Sequence, residues 1–153
     1  MLKTIDVVAA IIERDGSILL AQRPPHADQP GMWEFAGGKV ESGESQAQAL
    51  ARELQEELGI VALPARYIAS HRREISGRLI HLHAWWVPHF SGTPTAHYHS
   101  QLRWCSPQEA LTFNLAPADI PCWKPLSPKA RLSFPANTVR PPSSFLVMTA
   151  GGL

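Results

Sequence analysis

Residues 38–60 read GKVESGESQAQALARELQEELGI. On a helix, residues three and four apart share a face. Glu53, Glu56 and Glu57 therefore form one acidic stripe. Leu50, Leu54 and Leu58, with Ala47 and Ala51, form a second stripe turned away from it, at ~100° of rotation per residue. The pattern predicts an amphipathic helix with an apolar face for a core and a carboxylate face for a site. Ser42 or Ser45 is placed to cap its start, and Gly59 to stop it. Glu44 lies near the N-terminus, where the helix dipole favours an anion.

Like charges at these spacings repel, so the stripe needs a positive partner, and a divalent cation is the simplest. The bland alternative is a solvated acidic face. Two features oppose it. Gly37-Gly38 reads as a tight turn that brings backbone carbonyls towards a ligand. Arg52 stands beside the stripe, placed to orient a glutamate.

The residues Gly38, Glu44, Arg52, Glu53, Leu54, Glu56, Glu57, Gly59 and Ile60 fill every fixed position of the pattern G-x5-E-x7-R-E-U-x-E-E-x-G-U, where U is a bulky aliphatic residue. That pattern is the Nudix box, and the chain resembles the Nudix hydrolases of MutT type. WEFAGGKVE, residues 33–41, is similar to the family's WEFPGGK entry to the box, with Ala36 where proline is common. VVAAIIERDGSILLAQRP, SHRREISGRLIHLHAW and LAPADIP look like the bacterial members that hydrolyse CTP. This closer resemblance covers residues 4–121 and stops before the tail.

Length and charge are consistent with it. At 153 residues the chain reads as one catalytic domain, given ~100–200 residues per domain. We place that domain at residues 1–121 and a tail at 122–153. The formal net charge of +1 gives no polyanion-binding surface, so polymeric nucleic acid is not expected as a partner. Cys105 and Cys122 have no metal-ligand spacing and read as reduced thiols of a cytoplasmic protein, although one disulfide stays open. No signal peptide or membrane span is read, and the VVAAII run is far too short to be one. A monomer is expected.

Along the chain, residues 5–13 and 17–23 read as strands joined by a hairpin turn at Asp15-Gly16. Residues 24–31 read as a loop. Residues 64–70, 72–75 and 78–88 read as further strands, with Ser76-Gly77 as a turn. Residues 91–101 read as irregular and 102–105 as a short strand. A short helix follows at 107–111, capped by Ser106 with Pro107 in its first turn. Beyond that, Pro121, Pro125, Pro128, Pro135, Pro141 and Pro142 interrupt any helical or alternating pattern. The tail therefore reads as extended or disordered, where the family usually ends in an amphipathic helix. The order of elements predicts an α/β fold, a sheet flanked by helices. The resemblance implies a Nudix-type α/β/α sandwich with a mixed sheet and one long catalytic helix.

Mg²⁺ takes oxygen ligands, keeps several waters and binds through one or two carboxylates plus substrate phosphates. It polarises phosphoryl oxygens and acidifies a bound water. A glutamate stripe suits it, with Mn²⁺ as a substitute. The resemblance implies Glu53, Glu57 and the Gly38 carbonyl as metal ligands, with Glu56 as a further ligand or a support. Glu53 could instead be the general base. Arg52 holds a glutamate in place, and Glu44 is read as structural. Relatives often carry another glutamate in the loop before the tryptophan matching Trp104. Here that loop is AHYHSQLRW, with Tyr98 at the acid's place. The base is then a box glutamate, His97 or His99.

Substrate contacts are expected from Arg23, whose fork suits phosphate, and from Phe35, Gly37, Gly38 and Lys39. The resemblance adds Arg73. Trp33 and Phe35 are placed to stack on a base or to enter the core. Asp119 is the clue to the base itself. A carboxylate accepts but cannot donate, which suits the exocyclic amino group of cytosine. Adenine also offers an amino group. His81 and His83 alternate with Leu82, so they face one side of the sheet, and they are not read as metal ligands because no third ligand stands nearby in sequence. The expected function is Mg²⁺-dependent pyrophosphohydrolysis of a nucleoside triphosphate, CTP or dCTP first and modified nucleotides next. The competing readings are hydrolysis of another nucleoside diphosphate-linked substrate and a nucleotide-sensing module that does not cleave.

Overall fold

The computed structural model describes residues 3–75, 77–110 and 112–115. Its centre is β1 (Lys3–Arg14), whose residues 8–12 are buried on both faces, as a continuous apolar run requires. One edge of β1 pairs in parallel with β7 (Arg78–Val87), from Lys3↔Arg78 to Ile12↔Val87. The other edge is shared. Val7–Ala9 pair antiparallel with β4 (Gly37–Lys39), and Glu13 and Arg14 pair with β2 (Ser17–Gln22). The seven-stranded mixed sheet runs β3-β2-β1-β7-β6, with β3 (Trp33–Glu34) and β6 (Arg66–Ile75) at its ends. β9 (Gln101–Cys105) pairs with β2, and β5 (Val61–Leu63) with β8 (His89–Ser91) forms a small second sheet.

Helix α1 (Gln46–Leu58) covers one face. Ser45 caps it through a capping box with Gln48, and Gly59 ends it in the left-handed conformation at φ 71°. Leu50, Leu54 and Leu58 are fully buried against Val8, Ala10, Ile12 and Val87. Each such side chain contributes about 1.5–3 kcal/mol by leaving water. The buried alanine of this face is Ala49, while Ala47 and Ala51 stay partly exposed. The other face holds Ile11, Ile18, Leu20, Phe35 and Leu82, closed by Ala110 of α2 (Pro107–Ala110) and by Leu115. The layering is the expected α/β/α arrangement.

The Asp15-Gly16 hairpin forms, with both residues at positive φ and Arg14 paired to Ser17. Ser106 caps α2 through a reciprocal pair with Glu109. Residues 66–75 form one strand, not two. The break expected near His71 is instead a bulge between Tyr67 and Ala69. The strands β3, β4, β5 and β8 are two or three residues long, and no alternation can announce strands so short. Cys105 is a buried free thiol pushed up to about 12 by burial. Asp119, Cys122, Ser76, Leu111 and the Pro-rich tail lie outside the described residues.

Candidate active site

Helix α1 and strand β4 build the site between them. Gly37 and Gly38 are paired strand residues without positive φ, so the tight turn expected there does not form. Glycine is needed for proximity instead. A Cβ on Gly37 would lie 1.9 Å from the Val8 carbonyl oxygen, and one on Gly38 would lie 1.7 Å from Glu53 Oε2. At Gly37 the obstacle is backbone, whereas at Gly38 a side chain would have to displace the Glu53 carboxylate. The Glu53 carboxylate therefore lies against the bare backbone of Gly38. One turn on, the Gly37 N–H donates to Glu57 Oε1 at 3.3 Å.

These two carboxylates are strained electrostatically. Burial, then repulsion from Glu53 and Glu34, pushes Glu57 up to about 8. Burial and the neighbouring Glu56 and Glu41 push Glu53 up to about 7, against the pull of Arg52. A bound cation would relieve both at once.

Arg52 is the pin of the loop before the helix. Its Nε and Nη2 meet the two Glu44 oxygens at 2.7 and 3.0 Å, and Nη2 also donates to the Lys39 carbonyl at 3.0 Å. Nη1 reaches Glu56 Oε1 at 3.2 Å and Glu53 Oε1 at 3.7 Å. The glutamate held most closely is thus Glu44, which Arg52 keeps ionised and which also accepts from the Glu41 N–H. Glu56 is exposed beside Arg52 and does not line the cleft.

The carboxylates open into a cleft of ≈ 520 Å³. Val7, Ala9, Phe35, Ile80 and Leu82 form its apolar side, and Glu53, Glu57, Gly37, Gly38, Lys39 and Glu41 its charged side.

The match to known proteins follows this geometry. The NUDIX domain profile matches residues 2–124. The chain belongs to the Nudix family. It is 70% identical over 120 residues to CTP pyrophosphohydrolase of Escherichia coli (strain K12), covering 78% of this chain and 89% of that protein. It is 42% identical over 93 residues to 8-oxo-dGTP diphosphatase of Haemophilus influenzae, covering 60% and 68% of the two. The solution structure of the E. coli ORF135 protein is similar at a TM-score of 0.71 and 69% identity, covering 76% of this chain and 84% of that one.

The donor set of this Nudix cleft fits a hard divalent cation. It offers two half-buried carboxylates raised chiefly by burial and further by neighbouring acids, and a glycine backbone that the lack of a Cβ leaves reachable. Two carboxylates and a carbonyl leave room for the waters and phosphates that Mg²⁺ retains.

Arg23 lines the cleft, but carboxylates hold it. Nη1 meets Glu34 Oε1 at 2.7 Å, Nη2 meets Asp28 Oδ1 at 2.5 Å, and Nε donates to the Asp28 carbonyl at 2.6 Å. Phe35 is 3% exposed and lines the cleft floor from the core. Trp33 packs edge-on against Phe113 at 5.1 Å and belongs to the core side. Arg73 pairs with Ile80 across β6 and β7, so it shares the face of a cleft-lining residue. It is exposed and does not itself line the cleft. Tyr98 does line it. His99 is buried and bonded to Glu34 Oε2 at 2.9 Å, and His97 packs near Gly59.

Glu34 is the residue that sequence reading missed. It lines the cleft, joins Arg23 to His99 and by repulsion helps to raise the pKa of Glu57. The available signal was a lone carboxylate between Trp33 and Phe35, where an apolar run should exclude it.

Proposed function

We propose that this chain is a Mg²⁺-dependent nucleoside triphosphate pyrophosphohydrolase with CTP and dCTP as its leading substrates. Water attacks phosphorus, the phosphoanhydride bond breaks, and the products are the nucleoside monophosphate and pyrophosphate. The observation that carries this reading is the pair Glu53 and Glu57, desolvated and laid against Gly38 and Gly37 at the charged side of a cleft whose other side is apolar. The relatives named above support the substrate class.

Glu53, Glu57 and the Gly38 carbonyl would hold the metal, with Glu56 as a neighbouring support. The ion supplies polarised phosphoryl oxygens and an acidified water. Arg52 fixes the loop that presents Gly38, through Glu44 and the Lys39 carbonyl. Lys39 and the backbone of Gly37 face the phosphates. Arg23 supports that side through Glu34 and turns to phosphate if Asp28 releases it. Phe35 supports the base against the apolar wall, and Arg73 stands at the rim. Asp119 reads the exocyclic amino group. Proton acceptance falls to a box carboxylate. The loop residue facing the cleft is Tyr98, a phenol where a carboxylate was expected, and His99 is committed to Glu34.

The test is pyrophosphate release from canonical and oxidised nucleoside triphosphates, with and without Mg²⁺. Metal-dependent release fastest with CTP or dCTP is expected. Release fastest with an oxidised guanine nucleotide would keep the chemistry and discard the Asp119 assignment. Binding without release would move the chain to the sensing class, for which Tyr98 is the specific ground. Asp119→Asn should lower the CTP-over-GTP ratio of kcat/KM by roughly tenfold, one lost base contact being worth about 1–3 kcal/mol.

A further inference from the structure

The parallel pairing of β1 with β7 gathers a second set of metal-binding side chains. Asp6 lies opposite His81, and His83 follows two residues on. All three project from the face opposite Ile80 and Leu82, which alternate with the histidines and line the cleft. Asp6 Oδ1 is 3.0 Å from His83 Nε2 and 3.5 Å from His81 Nδ1. The imidazole centroids are 4.0 Å apart, and the ligand atoms of the three residues all lie within 4.8 Å of one another. In a tetrahedral shell with bonds of about 2.0–2.1 Å, neighbouring ligand atoms stand about 3.3 Å apart. Both measured edges to Asp6 are close to that.

The surroundings suit ligation. An imidazole that binds metal through one nitrogen gives the other N–H to an acceptor. His83 Nδ1 faces the Tyr67 hydroxyl at 3.0 Å, leaving Nε2 for a metal. Among the described residues His81 Nε2 is buried without a hydrogen-bond partner, so they do not complete a hydrogen-bond network around this ring. Burial, His83 and Arg72 lower the His81 pKa, which favours the neutral ligand form. The histidine side chains are 15% and 6% exposed and Asp6 is 52% exposed. The cluster is closed behind the rings and open at the carboxylate, where water can supply a fourth ligand. The opposing charge is Arg72, paired with His81 across β6 and exposed.

We infer that Asp6, His81 and His83 form a transition-metal site of the Zn²⁺ class, separate from the Nudix carboxylates. Two imidazoles and a carboxylate select such ions over Mg²⁺. The site joins β1 to β7 beside β4, since the Asp6 carbonyl accepts the Val40 N–H at 2.9 Å.

The test is Zn²⁺ uptake by tag-free protein in excess Mg²⁺, by equilibrium dialysis with metal analysis, alongside Co²⁺ absorption. One equivalent of Zn²⁺ and the intense visible bands of low-coordinate Co²⁺ are expected. Asp6→Asn should weaken that equivalent tenfold or more, and His83→Gln should abolish it. Glu57→Gln should leave it in place, which separates this inference from the function proposed above. Zn²⁺ should raise the melting temperature of the wild type and not of Asp6→Asn. His83 is buried and its variant can misfold, but Asp6 is half exposed and carries the test alone. Equal uptake by wild type and Asp6→Asn, or no uptake by the wild type, would overturn the inference.

Discussion

The apolar wall of the carboxylate cleft and the imidazole cluster stand on opposite faces of the same parallel strand pair, and the two sites are assembled differently. The cleft takes its two glycine-backed acids from a single helix, at positions 53 and 57, and sets them against glycines fifteen and twenty residues away. The cluster takes two ligands from β7 and its third from β1, seventy-five residues earlier than His81. The first gathers hard oxygen donors that repel one another. The second gathers borderline imidazole nitrogens around one acid within hydrogen-bonding reach. A site built within one helix leaves its period in the sequence, and a site built across a pairing does not.

The comparison breaks most sharply at Glu57. Glu57→Gln should reduce Mg²⁺-dependent pyrophosphate release by roughly a hundredfold to a thousandfold, the scale of a lost transition-state interaction. Its circular dichroism should stay that of the wild type. An active, folded variant would remove Glu57 from the metal site. Gly38→Ala should follow with a loss of about ten- to a hundredfold, because the added methyl displaces Glu53. Overpacking there should also cost about 1–3 kcal/mol in urea unfolding. An unchanged variant would mean that the Glu53 contact is incidental.

Acidity sharpens the contrast further. Glu53 and Glu57 have folded-state values near 7 and 8 against 4.5 when free. The native state therefore binds more protons than the unfolded chain between those limits. The resulting stability is full below about pH 4.5 and is lost as pH rises through about 8. The melting temperature of metal-free protein should fall by several degrees across that window, and Mg²⁺ should restore it. Glu57→Gln should flatten the slope. His81 moves the other way, since its lowered pKa makes the unfolded chain the better proton binder. It should add a smaller gain in stability as pH rises towards 6.5, visible as the difference between wild type and His81→Gln. Parallel pH profiles for the two variants would deny the two regions their opposite character.

Much of the helix was legible because its determinants are neighbours in sequence. The Leu50, Leu54, Leu58 stripe follows from a period of 3.6 and the Gly59 stop from the residue type just after it, while the cap narrows to Ser42 or Ser45 in sequence and is Ser45 in the structure. The alanine assignment failed at the edge of the stripe, where Ala49 and not Ala47 or Ala51 meets the sheet. Gly37-Gly38 was singled out for the wrong reason. The pair does permit close approach, but as a strand whose existence depends on Val8 and Ala9 thirty residues earlier. Glu34 was passed over because its partners Arg23 and His99 are brought to it by tertiary structure. The histidines were read correctly as sharing a face, and set aside as ligands because Asp6 is not their neighbour in the chain.

The β1–β7 pairing also has a consequence in time. Its ten registered pairs join residues 3–12 to residues 78–87. Closing so long a loop is entropically unfavourable until the contacts themselves form, and non-local parallel pairing is slow. Helix α1 can form its turns early, but the cleft wall of Ile80 and Leu82 and the Asp6 cluster both wait for that closure. Neither a nucleotide nor a metal has anywhere to bind on a half-folded chain, so either one should appear in refolding kinetics only at the last step.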